Sequence, residues 1–492
     1  MRGSALLLLG RVIALGVEFG AHVVVVRYLT KGDYGAYSYA LAVAGLFAGL
    51  LVLGLPETLA RYAPIFLERR QHSRLLGATL IAFSLVTGIG LLAALVVLIV
   101  PGPVGGILES DQAARLLGIL LLSVPSDGIN LVFQGIFAAL GRVRAIFFRQ
   151  FVLVPGLRLV VALVLVIGDR SITFLAIGYV AVSFIGVLWY GTYALPLVRR
   201  ALQTTARKVE MPVREILSFA LPVLVTNAFW IVLLASSTIA LGVLGSTTDV
   251  AEFQAVLPPA RLNYLVTTIF SILFIPTISR MYARGDMAEL RREYMHTTYW
   301  LTTLTVPLLA LTTVFAPTFV PTFFGTPYEA SIPILILLSA GYYLHSTVGP
   351  NSTTLKVFRR LRMTVSIDLA GLALGIGLNV VLIPPLGGEG AALAFLLAVA
   401  GRNLAYQFAL RRIAGISLLT AGYARLQLSV GSVLAVLVAI QLGLQPGIVA
   451  AVLLSAMAGL AVLRACRGIL EAQETFPELA RGPFKRLFIP PS

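Results

Sequence analysis

Long uncharged apolar runs recur along this chain, and clusters of arginine punctuate them at alternate ends. Fourteen such runs can be marked, at about 5–26, 36–57, 75–100, 114–139, 150–168, 172–196, 216–243, 252–277, 296–316, 331–350, 364–384, 389–410, 427–443 and 447–464. About 20 apolar residues in a helix cross the hydrocarbon core of a bilayer, so most of these runs are long enough to span it. In hydrocarbon every backbone polar group needs an internal partner, which leaves helices as the spanning structure for runs of this kind. The chain is therefore expected to be an all-α polytopic membrane protein. Composition agrees. Only 12% of residues are charged, about half the share usual in soluble domains, and mean hydropathy is +0.94.

The basic residues fix an expected orientation. With both termini on the cytoplasmic side, 29 of the 37 Lys and Arg fall in cytoplasmic segments and 4 fall outside. Retention of basic residues inside is the general rule for such loops. The net charge of +16 is thus topological and does not point to nucleic acid. Arg2 and the following run resemble a signal peptide, but Arg11, Glu18 and His22 interrupt it, so a retained first helix is expected. The single cysteine, Cys466, excludes an intramolecular disulfide. No GxxxxGK[ST] phosphate loop, metal-ligand spacing or nucleophile triad occurs. The connections leave no room for a nucleotide-binding domain. An enzyme is not expected, and no cofactor is implied.

The two halves of the chain repeat. Pro56-Glu57-Thr58-Leu59-Ala60-Arg61-Tyr62 ends the second run, and Pro276-Thr277-Ile278-Ser279-Arg280-Met281-Tyr282 ends the eighth. Gly141-Arg142-Val143-Arg144 follows the fourth, and Arg359-Arg360-Leu361-Arg362 the tenth. Six runs per half give both halves the same orientation. That is a parallel repeat, with a cleft between lobes as the expected substrate path. The expected division is a six-helix lobe over 1–210, a second over 211–412, and two further helices with a short tail over 413–492.

Several motifs carry a family likeness. Arg27, Tyr34-Gly35-Ala36-Tyr37, Leu53-Gly54-Leu55 and Arg61-Tyr62 stand around a short polar turn, Thr30 to Gly35, and the run after it. Leu217-Ser218-Phe219-Ala220-Leu221-Pro222 opens the seventh run, and Phe274-Ile275-Pro276-Thr277-Ile278-Ser279 closes the eighth. Asn379-Val380-Val381-Leu382-Ile383-Pro384, then Gly387-Gly388-Glu389-Gly390-Ala391-Ala392, joins the eleventh and twelfth and is the most specific of the set. Together they resemble the polysaccharide transporter family of the multidrug/oligosaccharidyl-lipid/polysaccharide flippase superfamily. The resemblance implies a flippase of the cytoplasmic membrane that moves polyprenyl-(di)phosphate-linked oligosaccharide by alternating access, for surface polysaccharide or glycan biosynthesis. Its partners would be the lipid-linked oligosaccharide and membrane lipid, with glycan-assembly enzymes as candidates and no nucleic acid. A cation-coupled multidrug antiporter of the same fold is the alternative. A membrane glycosyltransferase or polymerase would need a sizeable external loop, and the outer loops are short.

Charges inside a membrane span are costly and mark candidate sites. Arg11, Glu18 and His22 are spaced seven and four residues apart, on one face of the first helix. Arg11 would meet an anionic headgroup, and H⁺ or Na⁺ coupling, which no motif demands, would run through Glu18. A packing ion pair, or Arg11 snorkelling, is the structural alternative. Gln254 and Arg261 share a face, with Pro258-Pro259 between them expected to kink the helix. Guanidinium binds phosphate through paired hydrogen bonds, so Arg261 is a candidate for the carrier phosphate, against pairing with a carboxylate. Asp127, Asn130 and Gln134 share a face suited to sugar hydroxyls, with interhelical hydrogen bonding the favoured reading. Asn227 and His345 are weaker candidates. Asp368 is expected to be solvated or paired with Arg362, and Arg158 and Arg402 to be paired or snorkelling. Gly16/Gly20, Gly45/Gly49 and Gly371/Gly375 have the spacing that lets helices approach closely. Asn351-Ser352-Thr353 fits a glycosylation acceptor but lies at an inner membrane end.

Overall fold

A computed structural model describes residues 2–52, 54–99, 110–204 and 209–470, without the side chains of residues 2–9, 51, 98, 197–204, 222, 225–228, 230, 234, 272 and 273. Among the described residues there is no strand. The first helices are α1 (Arg2–Tyr28), α2 (Lys31–Leu51), α3 (Leu55–Glu68), α4 (His72–Ile99), α5 (Asp111–Leu120), α6 (Ser123–Ala139) and α7 (Val143–Phe147). A π-helical turn, Phe148–Leu153, leads into α8 (Val154–Ile167), followed by α9 (Ile172–Thr204) and α10 (Val213–Leu244). Then come α11 (Thr247–Arg284), α12 (Met287–Thr312), α13 (Ala316–Phe324), α14 (Ser331–Thr347), α15 (Asn351–Val357), α16 (Leu361–Ala414), α17 (Ala421–Leu444) and α18 (Ile448–Leu470). Eight helices among the described residues are long and apolar enough to cross a membrane, or up to 11 if each bent pair is one span. That is fewer than the fourteen expected.

Part of the difference lies in α16. Its 54 residues are far more than one crossing needs. At Gly387 the backbone takes φ 52° and ψ −128°, which breaks the helix. Side chains then meet in antiparallel register: Arg402 reaches Asp368, Tyr406 reaches Thr364, and a Cβ on Gly401 would touch Leu374 at 3.0 Å. The sums of these residue numbers are nearly constant, as in a hairpin centred near Gly387. The polar turn expected at Thr30 to Gly35 is instead a helix start. Thr30 caps α2, accepting from the Asp33 backbone N–H at 3.2 Å and donating to Asp33 Oδ2 at 2.7 Å. An N-cap threonine with an acid three residues on satisfies otherwise orphaned amides.

The chain divides into two compact units, Met1–Ala251 and Glu252–Ser492. In the first, Leu55, Leu59, Phe66, Ala82, Val132 and Ile216 form one core cluster, drawn from α3, α4, α6 and α10. Helix α1 lies along α8, and α9 along both α6 and α8. In the second, α18 packs on α12, with Trp300, Val306, Val430, Leu437, Ala458 and Val462 in the shared core. Trp300 Nε1–H also donates to the Leu470 carbonyl at 3.0 Å.

The matching motifs stand beside backbone breaks in each unit. In the first, the chain breaks at Gly54 (φ 67°) just before Pro56. In the second, α11 bends by 45° between Ser271 and Phe274, just before Pro276. A bend of more than 40° lies beside Pro276, whose missing N–H frees a carbonyl one turn earlier, while Thr247–Ser271 carries Pro258-Pro259 without a break of that size. Gly141 (φ 65°) and Arg359 (φ 58°), which open the matching arginine-rich turns, are both left-handed. Gly16, Gly20 and Gly45 make no close helix approach: a Cβ there would meet nothing within 4 Å among the described residues.

Candidate functional site

The first unit gathers several polar residues of its apolar helices against one face of α9. Tyr179, Ser183, Gly186 and Tyr190 are spaced four, three and four apart, which keeps them aligned along a helix. The Ser183 hydroxyl donates to Asp127 Oδ1 on α6. Asn130 Nδ2 donates to the Ser183 carbonyl at 3.1 Å. The Arg158 guanidinium lies 4.9 Å from the Tyr179 ring centre, and that of Arg149 lies 4.8 Å from Tyr190. Cations over tyrosine faces are attracted by the ring quadrupole.

The π turn makes this possible. Nine residues separate Arg149 from Arg158. In an uninterrupted α-helix they would point about 180° apart. One residue absorbed by a π turn brings them to within about 80°. Gly186 clears the space. A Cβ there would sit 2.8 Å from Arg149 Nε.

Glu18 on α1 faces the same cluster. Its Oε1 lies 3.9 Å from Arg158 Nη1, and the two side chains are 42% and 39% exposed. At that separation the contact is an ion pair without a hydrogen bond. Arg11 is exposed, and His22 packs edge-on against Tyr34 at 6.1 Å. The Arg11, Glu18 and His22 set is therefore divided among different surroundings. Gln134 donates to Gln150 at 3.4 Å, the interhelical bonding favoured for its face. The Asn227 side chain lies outside the described residues.

In the second unit Arg261 is exposed partway along α11, and its Nε donates to the Tyr342 hydroxyl at 3.4 Å. Tyr264 stands beside it, 6.4 Å from the Tyr342 ring and 5.3 Å from His345. Gln254 is half-buried on the same helix. His345 is buried, with Nδ1 3.2 Å from Asn403 Oδ1. Asn351 donates to that same oxygen at 3.0 Å and is fully buried, so it is no surface glycan acceptor.

Asp368 is neither solvated nor paired with Arg362. It is 5% exposed and accepts from Arg402 Nε at 2.8 Å and from the Tyr406 hydroxyl at 2.8 Å. The α16 hairpin brings these residues together across 34 positions of sequence. Arg402, at 4% exposure, is paired and does not snorkel.

The family profile described as "Polysaccharide biosynthesis protein" matches residues 1–282. The chain belongs to that family. The chain is similar in fold to a solved structure titled "Lipid II flippase MurJ, inward closed conformation", with a TM-score of 0.71 and 14% identity over 97% of this chain and 100% of that one. It is also similar to an inward-facing MATE family multidrug resistance transporter of the MOP superfamily, with a TM-score of 0.66 and 14% identity over 83% of this chain and 96% of that one. An outward-facing structure of that transporter type aligns with a TM-score of 0.56, at 16% identity over 84% and 95%. No curated protein matches the sequence. The matched region holds the whole α9 cluster and Arg261. Sequence reasoning overlooked Arg149, Tyr179, Ser183 and Tyr190 as a group. The i, i+4, i+7, i+11 pattern on α9 was the available signal, whereas the π turn hides the partnership of the two arginines.

Proposed function

We propose that this protein is a flippase that carries polyprenyl-(di)phosphate-linked oligosaccharide across the cytoplasmic membrane by alternating access, with both termini cytoplasmic. Membership of the polysaccharide biosynthesis family carries the reading. The site chemistry supports it. Arg11, Arg158 and Arg261 lie in helices of the apolar runs yet remain exposed or half-exposed, and guanidinium suits a phosphate or diphosphate. Gln134 and Gln254 add neutral groups of the kind that hydrogen-bond sugar hydroxyls, whereas Asn130 is buried and bonded to Ser183. A multidrug antiporter of the same fold is the second reading, favoured by the likeness to MATE structures. A cationic drug calls for acidic groups, and the exposed arginines here oppose it. Coupling to H⁺ or Na⁺ would act through Glu18.

The test is deletion of the gene, with lipid-linked oligosaccharide measured in each leaflet alongside surface glycan. Full-length units held on the inner leaflet, with surface glycan lost, are expected. Truncated units would place the defect in assembly and overturn the reading. Unchanged glycan with new drug sensitivity would favour the antiporter.

A further inference from the structure

Helix α10 opens the second of the two six-run halves expected from the sequence, yet it packs within the first unit. Its start lies against the arginine-rich region of α3 and α4. Arg74, in the first turn of α4, places Nη2 3.0 Å from Glu215 Oε2 and Nε 3.6 Å from Glu210 Oε2. From Arg199 to Glu215 these two are the only acids, beside five basic residues, and both meet Arg74. The Glu210 backbone N–H donates to Ser73 Oγ at 2.9 Å. Its carbonyl rests on Gly77, where a Cβ would overlap it. One turn into α10, the Phe219 ring lies 4.4 Å from the Arg61 guanidinium and edge-on to Tyr62 at 5.9 Å. The close approach runs on to Gly54, where a Cβ would stand 2.8 Å from the Ala220 carbonyl.

These contacts are of a releasable kind. The side chains of Arg74 and Glu215 are 33% and 35% exposed, and that of Glu210 is 69% exposed. Ion pairs at such exposure contribute little each, as do cations over exposed rings. Beneath them, Ile216 and Ala220 are the buried members that α10 adds to the core of α3, α4 and α6. The Asp368–Arg402 pair is the opposite case, buried and fixed inside one hairpin. Arg280, in the matching motif of the second unit, is exposed and donates to the Pro276 carbonyl of its own helix at 3.3 Å. The reach of Arg61 to another helix is therefore not a property of the motif. It depends on where α10 starts.

We propose that the start of α10 is a latch at the cytoplasmic face. It closes the approach from inside while Arg74 holds Glu210 and Glu215, and alternating access lifts it from α3 and α4 to admit the substrate. The latch rests on the flippase reading and the orientation given above, so its test has one arm that does not need transport.

In that arm Ala220→Cys is made in a Cys466→Ser background, and its reaction with an aqueous maleimide is timed in inside-out vesicles. The parent reacts slowly, because Ala220 is fully buried. Arg74→Glu speeds the reaction about fivefold or more, the factor one surface ion pair contributes. Adding Glu210→Arg and Glu215→Arg slows it again. Gly77→Val, which keeps every charge and displaces the Glu210 carbonyl, speeds it as well. Rates unchanged by Arg74→Glu and Gly77→Val would overturn the proposal. In the second arm Ser73→Cys and Glu210→Cys are joined in cells by a bis-methanethiosulfonate that dithiothreitol removes. New surface glycan stops while the bridge is in place and resumes after reduction. Continued export by the bridged protein would overturn the latch and would mean that the start of α10 moves with α3 and α4. Failure of the flippase reading shows separately, as unchanged glycan on gene deletion, and the maleimide rates still decide the latch.

Discussion

Replacing Asp368 by Leu, or Arg402 by Met, should each destabilise the protein severely, while replacing both should not. The two side chains are 5% and 4% exposed and meet at 2.8 Å inside the α16 hairpin. Removing one leaves the other charge buried without its partner, which costs about 3–5 kcal/mol. Two independent losses would sum to roughly 6–10 kcal/mol. The double variant Asp368→Leu with Arg402→Met removes both desolvation penalties. Tyr406 keeps a partner in it, because its hydroxyl also reaches the Thr364 carbonyl at 3.2 Å. The double variant should therefore lie within about 2 kcal/mol of wild type, as apolar replacements of buried pairs generally do. Reversible unfolding in mixed micelles gives all four corners of the cycle. Single variants that each cost less than about 1 kcal/mol would refute the reasoning, since that is the scale of an exposed pair. So would a double variant that costs the sum of the two.

Two further outcomes follow from the geometry. Glu18 and Arg158 are half-exposed and 3.9 Å apart, so Arg158→Gln should change unfolding by less than about 1 kcal/mol while surface glycan falls at least about tenfold, one decade for each ~1.4 kcal/mol of lost substrate interaction; normal glycan would remove Arg158 from the site. Gly387→Ala forces a side chain into φ 52°, ψ −128°, a region essentially closed to other residues, and should cost about 1–3 kcal/mol in the same unfolding assay; wild-type stability would mean the hairpin does not depend on that conformation.

Much of the fold was legible because a bilayer imposes a length and a composition on whatever crosses it. The apolar runs land on helices, and the paired Pro56 and Pro276 motifs mark breaks in both units. The prolines of α11 show the limit of that reading, since the bend of more than 40° lies beside Pro276 and not at Pro258-Pro259. Two adjacent prolines weaken a helix, but neighbours decide where it yields. The capped start at Thr30 was hidden for a different reason: Gly32 and Gly35 look like a turn, and only the hydrogen bonds of Thr30 and Asp33 show a first helical turn.

The candidate site was legible only in part. Asn130 and Gln134 could be named because an unbroken helix keeps its period, and Glu18 because a charge in an apolar run stands out. Arg149 and Arg158 could not be joined, since the π turn shifts the phase between them. Asp368 and Arg402 could not be joined either, for they are near only because the chain folds back at Gly387. The sequence by itself determined that this is a helical membrane protein, because hydrocarbon tolerates few alternatives. The tertiary structure decided which charge meets which. A charge buried in an apolar unit must find its partner in three dimensions, and spacing along one helix does not say which neighbour supplies it.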